Sequence, residues 1–506
     1  MDVCLAVDFG SGKIAYDLWK VDKDPYSQIA LKKTYHINRV FFKKQGSSYA
    51  FPPVIGVEGN YEENGFMLED IHRIAALAYK AHHKEREKIV DNYRHILAEI
   101  FLHIKKECFN QNPKIDRYKT LILNVPLFIP LDFQRAIISA GNDAFGRTTV
   151  IVLMEDWIAL YHHYWEIITK NLNKQVLLID MGWNSAKLYL VQNNIEKKEI
   201  ILIDFEEYQE LSSQSIVQNI HNVISYYFQH MKLVIDFSTL PSSEQKAIYN
   251  KIRHLACNFL TDGKTKSYQH QTAHVEITDQ VDQLFFKYIL EHTKVTGLPF
   301  VEKLAVEIES FLNRNAITTS NTILLMSGAL SRISHIEPSL KEHLVNIEII
   351  CNKPFDATLN GLRKFLNRIE QDSYIYKTPY GIGTYVSEQD SDFAVILEDD
   401  FFINDLSQKT KSRNYEVDFT KSESKDHIRI YFGILIGKRK GRYITHQFDF
   451  ELDTKRKDIN TTPLTITATC NKKDDSIEAD LVFNFSELKI KVNKKISLPI
   501  KIRGRS

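Results

Sequence analysis

Asp8 and Asp180 stand in the same local pattern, each at the end of a hydrophobic strand and just before a glycine and a small hydroxyl residue. The first copy reads Leu5-Ala6-Val7-Asp8-Phe9-Gly10-Ser11-Gly12 and the second Leu177-Leu178-Ile179-Asp180-Met181-Gly182-Trp183-Asn184-Ser185. A carboxylate at a strand's carboxyl end can hold the water shell of Mg²⁺. The glycine lets backbone amides approach phosphate oxygens, and the hydroxyl donates to them. Asp8, Gly10 and Ser11 form one candidate jaw, and Asp180, Gly182 and Ser185 the other. One such turn alone is most simply a turn after a buried strand. Two with matching flanks point to a duplicated nucleotide-binding core.

Other reactive residue types carry less. His82-His83 and His162-His163 are adjacent pairs, which project to different helix faces, and no Cys or carboxylate completes a zinc spacing. They read as surface or interlobe residues. Five scattered cysteines without a CxxC pair give neither a disulfide framework nor a zinc ribbon, and Cys4 reads as a small buried hydrophobe. The basic runs Lys438 to Arg442, Lys455 to Lys457 and Lys501 to Arg505 read as solvated hairpin tips, with little aromatic interleaving for nucleic acid.

The elements that must position the two jaws follow from periodicity. A chain of 506 residues with a net charge of +1, 43% hydrophobic and 25% charged, is an ordinary globular composition, too long for one core. Leu121 to Val125, Val150 to Leu153, Val176 to Ile179 and Ile323 to Met326 are short apolar runs of buried-strand type. Ile89, Tyr93, Ile96, Leu97, Ile100, Phe101 and Ile104 recur at helical spacing. This alternation predicts an α/β layer fold to about residue 372. From about residue 378 the period becomes two, as in Ile428 to Phe432 and Leu464 to Ala468, which predicts a β-sandwich. Residues 373 to 377 read as a short linker. The chain starts almost at once with strand Val3 to Val7 and has no apolar run of membrane-spanning length, so a cytoplasmic protein is expected.

In order and content these motifs resemble the DnaK-type heat-shock chaperones, the seventy-kilodalton class. Val7 to Gly12 looks like that family's first phosphate loop, continuing into Lys13, and Ile179 to Ser185 like its second. Leu123-Asn124-Val125-Pro126 with Phe133-Gln134-Arg135 is similar to the segment holding its proline switch and arginine relay. Met154-Glu155-Asp156-Trp157 looks like the hinge stretch, Leu325 to Ile333 like the adenosine motif, Pro354 to Gly361 like the helix start that closes the ATPase domain, and Thr378 to Gly383 like the first strand of the peptide-binding domain.

The resemblance implies an actin-like (duplicated ribonuclease H-like) ATPase domain over 1–372, a linker over 373–377 and an all-β substrate-binding domain over 378–500. It implies ATP or ADP with Mg²⁺ in the cleft, Asp8 and Asp180 holding the metal through water, and Glu155 ordering water and metal. Gly10, Ser11, Gly12, Lys13, Gly182 and Ser185 would meet phosphates, while Gly328, Ala329 and Arg332 would frame the adenosine. Pro126 and Arg135 would carry the nucleotide state towards the linker. The implied activity is that of an ATP-dependent chaperone with weak ATPase, gripping extended hydrophobic peptide, served by a J-domain co-chaperone and an exchange factor. The sequence given ends soon after the sandwich, so a lidless member is expected.

The departures define an alternative. Trp183 and Asn184 stand where the family has glycines, Lys187 where it has an acidic residue, and Ser212-Ser213-Gln214 where it has a glycine pair. His72 falls nearest the position of the lysine that orients the attacking water. A nucleotide-binding pseudo-ATPase, a scaffold or sensor holding one dedicated partner, would carry such changes.

Overall fold

The structure is a computed structural model. It describes residues 1–10, 13–21, 27–29, 31, 35–37, 39–45, 48–49, 54–55, 65–69, 71, 74, 83–127, 129, 131–194, 198–230, 240–262, 264–271, 276–351, 357–368, 375–377, 381–385, 394–397, 408–418, 427–436, 441–451, 461–472 and 476–499.

Two sheets of one topology organise the first two thirds of the chain. In the first, β1 (Asp2–Phe9) pairs antiparallel with β2 (Lys13–Lys20), which pairs antiparallel with β3 (Ser27–Ile29). On its other side β1 is parallel to β4 (Arg117–Val125), itself parallel to β5 (Val150–Glu155). In the second, β6 (Gln175–Met181), β7 (Ala186–Asn194) and β8 (Glu199–Tyr208) form the antiparallel side. The strands β9 (Thr322–Ser327) and β10 (Glu348–Cys351) form the parallel one. The orders β5-β4-β1-β2-β3 and β10-β9-β6-β7-β8 match strand for strand and direction for direction.

Both faces of each central strand are buried, which is why β1, β4, β6 and β9 read as near-continuous apolar runs. On the outer face of the first sheet lie α1 (His83–Gln111) and α2 (Leu131–Phe145). Tyr93, Leu97, Ile100, Phe101, Ile104 and Cys108 of α1 pack there with Val3, Leu5 and Val7. The outer face of the second sheet carries Leu177, Ile179, Leu188 and Leu190. It is covered by α4 (Ser213–His230), α5 (Ser242–Asp262), α6 (Gln283–His292) and α7 (Phe300–Arg314). Asp282 caps α6, its carboxylate accepting from Leu284 and Phe285 N–H at 2.9 and 3.0 Å, which satisfies two of that helix's orphan donors.

Between the sheets lie α3 (Asp156–His163) and α8 (Ala357–Arg368). Leu359, Leu362 and Leu366 of α8, with Ala159 of α3, cover Cys4, Ala6 and Ile122 of the first sheet. Trp157, Leu160 and Tyr161 of α3 join Val176, Leu178, Tyr189 and Val191 of the second. The crossing of α3 and α8 is close. A Cβ on Gly361 would stand 1.7 Å from the Ala159 carbonyl oxygen.

The C-terminal region forms two antiparallel four-stranded sheets. Its strands are β12 (Gly381–Tyr385), β13 (Ala394–Leu397), β14 (Gln408–Asp418), β15 (His427–Ile436), β16 (Gly441–Glu451), β17 (Thr461–Lys472), β18 (Ser476–Phe485) and β19 (Ile490–Pro499), in orders β13-β12-β15-β16 and β14-β17-β18-β19. Leu464, Ile466, Ala468 and Cys470 alternate inward along β17. Phe450 of β16 meets Phe483 and Phe485 of β18 at centroid distances of 5.0 and 5.5 Å, joining the two sheets.

The structure refines two sequence expectations. Within the stretch read as a linker, Ile375–Lys377 is a strand (β11) that extends the second sheet, Glu199 to Ile201 of β8 pairing in parallel with it. An edge strand offers unpaired backbone groups that such a segment satisfies, an effect no periodicity in three residues reveals. His162, read as a surface or interlobe residue, is the latter: it lies on α3, between the two sheets. It is 2% exposed, stacked on Trp165 at 5.6 Å and edge-on to Phe365 at 5.1 Å. His82, Pro354, Asp372 to Tyr374, and Thr378 to Tyr380 at the start of the β-domain lie outside the described residues. No helix among the described residues is long and apolar enough to cross a membrane.

Two stability predictions follow from the central layer. Gly361→Ala is expected to cost about 3 kcal/mol, because the added methyl meets backbone that cannot rotate away; urea denaturation measures it, and an unchanged midpoint refutes the tight crossing. Burial, with Lys364 and Arg363 adding and Glu166 opposing, pushes the His163 imidazole down to about 4 from 6.5. The unfolded chain therefore binds the extra proton between those values, so stability is full above about pH 6.5 and falls towards pH 4. The loss is about 3 kcal/mol at most. Urea midpoints across that range should slope less in His163→Gln than in the wild type.

Candidate functional site

The pleat decides where the two motif carboxylates point. Asp8 alternates with Cys4 and Ala6, and Asp180 with Val176 and Leu178, so both lie on the inner faces of their sheets, towards the layer of α3 and α8. Asp8 is 7% exposed. Glu155, the last residue of β5, is also buried and accepts a hydrogen bond from the Trp157 indole at 2.7 Å.

A continuous polar bridge joins the two sheets at this level. The N–H of Phe9, at the first turn, donates to Asn124 Oδ1 at 2.6 Å. Asn124 Nδ2 donates to Asp156 Oδ1 at 2.8 Å, and Lys187 Nζ donates to Asp156 Oδ2 at 2.9 Å. Asn124 comes from β4, Asp156 opens α3 and Lys187 lies in β7. In register, Lys187 has Asp180 opposite it on β6 and Glu207 opposite it on β8. The second sheet therefore presents one row, carboxylate, ammonium, carboxylate, with a third carboxylate lowered onto the ammonium from α3.

The charges perturb one another. Burial pushes the Asp180 carboxyl up to about 6, an effect that Lys187 opposes and that Asp156 and Glu207 reinforce. Burial alone would push the Lys187 ammonium down, but Asp156, Tyr189, Glu207 and Asp180 together hold it well above its ordinary value. Lys187 is a fixed positive charge.

The second turn is closed upon itself. Gly182 N–H donates to the Ser185 carbonyl at 3.0 Å, and the Ser185 hydroxyl donates to Glu207 at 2.5 Å. The carbonyls of Gly182 and Trp183 accept from Ser213 and Gln214 N–H, at 3.1 and 2.8 Å, so the turn caps the start of α4. Trp183 packs against the outer core. Gly328, at φ +92°, lies against this turn: a Cβ there would stand 2.4 Å from the Met181 carbonyl oxygen and 2.7 Å from Asp180 Oδ1. Only glycine fits both that conformation and that gap. Ala329 and Arg332 follow in a 3-10 turn, with Arg332 buried and its carbonyl accepting from Gln283 Nε2 at 3.0 Å.

Asp8, Asp180 and Gly328 are thus brought to the inner side of the two sheets, with Glu155 at the end of β5. Gly10 and Lys13 flank the first turn. Pro126 follows β4 directly, whereas Arg135 is exposed on α2. Ser11, Gly12, His72, Lys438 to Lys440, Lys455 to Lys457 and Lys501 to Arg505 lie outside the described residues. Sequence reasoning missed Asn124, Asp156 and Glu207 as site residues. The available signal was a polar residue closing an apolar strand in the first two cases, and strand register, which one sequence does not print, in the third.

Compared with protein-family models and with curated proteins, the chain matches none.

Lys187 opposes a divalent ion beside Asp180, whereas the carboxylates of Asp180, Asp156 and Glu207 favour one. Among the described residues, no group of three or more His, Cys, Asp or Glu side chains is placed to hold a metal.

The bridge yields a prediction. Asp156→Ala strips Lys187 and Asn124 of their shared acceptor and is expected to cost about 3 kcal/mol. In a double-mutant cycle with Lys187→Met, the pair should be less damaging than the sum by about 1 to 3 kcal/mol. Additive losses in urea denaturation would show that the ion pair carries no coupling.

Proposed function

We propose that the chain is an ATP-dependent chaperone of the seventy-kilodalton heat-shock type, an actin-like nucleotide-binding unit governing a β-domain that grips extended hydrophobic peptide. The observation that carries this reading is the pairing of two sheets of one topology, each ending its first strand in Asp-x-Gly on the inner face. The all-β region that follows supports it. In this reading the phosphates lie between Asp8 and Asp180, with Gly10, Ser11, Gly12, Lys13, Gly182 and Ser185 around them, Glu155 behind, and Gly328, Ala329 and Arg332 at the nucleoside end. Pro126 and Arg135 pass the nucleotide state to the β-domain. Clients are extended segments of other proteins, with a J-domain protein and an exchange factor as helpers, in the cytoplasm.

A second reading, a nucleotide-binding pseudo-ATPase that holds one dedicated partner, is favoured by the closed second turn. The Gly182 amide and the Ser185 hydroxyl already have acceptors within the protein, as do the first amides of α4. A phosphate would have to displace those acceptors.

Single-turnover hydrolysis of labelled ATP by the full chain separates the two, run beside a direct binding titration and beside Asp8→Ala and Asp180→Ala. Slow turnover lost in both variants is the expected result for the chaperone. Tight binding without turnover selects the pseudo-ATPase, and the absence of ATP binding refutes both. Peptide anisotropy with and without ATP tests the coupling, which requires that the two ligands favour different states.

A further inference from the structure

We propose that Gln283 is a positioning residue for the nucleoside end of the site, acting through the turn that carries Ala329 and Arg332. The inference rests on the nucleotide-site reading above and adds to it a residue of α6, a helix that reading does not use. Both ends of the one amide are engaged. Nε2 donates to the Arg332 carbonyl at 3.0 Å, while Oε1 accepts from the Ser334 N–H at 2.8 Å and from the Ser334 hydroxyl at 3.2 Å. A carbonyl and an N–H two residues apart are the pair that a neighbouring parallel strand takes. Here a side chain takes them in place of a strand.

The turn enters at Gly328, pressed against Met181 and Asp180, and its Ser331 hydroxyl donates back to the Gly328 carbonyl at 2.7 Å. Leu330 and Ile333 anchor it in the outer core, and the Cys351 thiol donates to the Ser331 carbonyl at 3.1 Å. Gln283 adds the hold on the exit, at Arg332 itself and at Ser334 beyond it. The amide is presented from a fixed place, because Gln283 is the first residue of α6 and follows the capping Asp282. At that position a carboxylate would serve the helix better than an amide. The amide instead serves the turn. A turn that holds its binding geometry only part of the time weakens its ligand's affinity in proportion to that fraction.

The test is calorimetric titration of the full chain with ATP and MgCl₂, repeated with Gln283→Ala and Gln283→Glu, with a urea midpoint for each protein. Gln283→Glu keeps an acceptor for Ser334 and loses the donor to Arg332, while its charge favours the start of α6. Both variants are expected to weaken ATP binding by about tenfold, with the urea midpoint of Gln283→Glu at or above that of the wild type. Hydrogen exchange should rise across residues 329–334 in both variants and stay unchanged across 177–185. ATP affinity within about twofold of the wild type in both variants overturns the inference and leaves the nucleotide-site reading standing. An affinity loss that comes only with a lowered urea midpoint also overturns it, since it reports general destabilisation. A wild-type chain that does not bind ATP refutes the nucleotide-site reading, and the inference with it.

Discussion

The arrangement depends on one ion pair. Asp156 accepts from Asn124 of the first sheet and from Lys187 of the second, so a single carboxylate belongs to both halves of the duplicated region. A buried carboxylate is tolerable only if its lone pairs are met, and here both sets of donors come from elements far apart in sequence. The position of α3 follows, since Asp156 is its first residue and its body is clamped by the close crossing with α8 at Ala159 and Gly361. Shifting one sheet relative to the other would cost the pair, the crossing and the packing of Trp157 together.

The duplication is in backbone topology, and the chemistry of the two turns has diverged. Gly182 and Trp183 give their carbonyls to the start of α4, which meets that helix's need for acceptors at its first amides. The same bonds remove donors that a phosphate would use. Stability of the second lobe and affinity for an anion therefore compete for the same atoms. Gly328 sharpens the competition, because its backbone already fills the space beside Asp180 that a bulkier residue or a displaced turn would need.

Much of this could be read in the sequence because strands buried on both faces leave a plain trace. The runs ending at Asp8 and Asp180, the helical recurrence from Ile89 to Ile104 and the alternation of Leu464, Ile466 and Ala468 are all effects of neighbours along the chain. What stayed hidden is what neighbours in space decide. Lys187 was visible as an unusual residue, but its role depends on register with Asp180 and Glu207 and on a helix start 31 residues away. Asn124 matters for what each end of its amide meets, and β11 exists because β8 has an open edge. His162 is a polar residue in the layer between the sheets, its ring held by Trp165 and Phe365, and side-chain polarity alone does not choose between surface and interlobe.

The charged row also bears on why such a core is built at all. Replacing a buried ion pair with well-packed apolar residues is often neutral or stabilising, but this row is only partly buried, Asp180 and Lys187 half-buried and Glu207 exposed, so its charges stay partly hydrated. Tyr189 and Val191, two and four residues away on the same face of β7, are fully buried and have only apolar or aromatic residues opposite, Leu178 and Phe205 for the first and Val176 and Leu202 for the second. The charges end where the strands end, at the turn and at the start of α3, the part of the second sheet nearest the bridge to Phe9. A change at Lys187 is therefore felt at once by Asp156, the carboxylate that joins the two sheets.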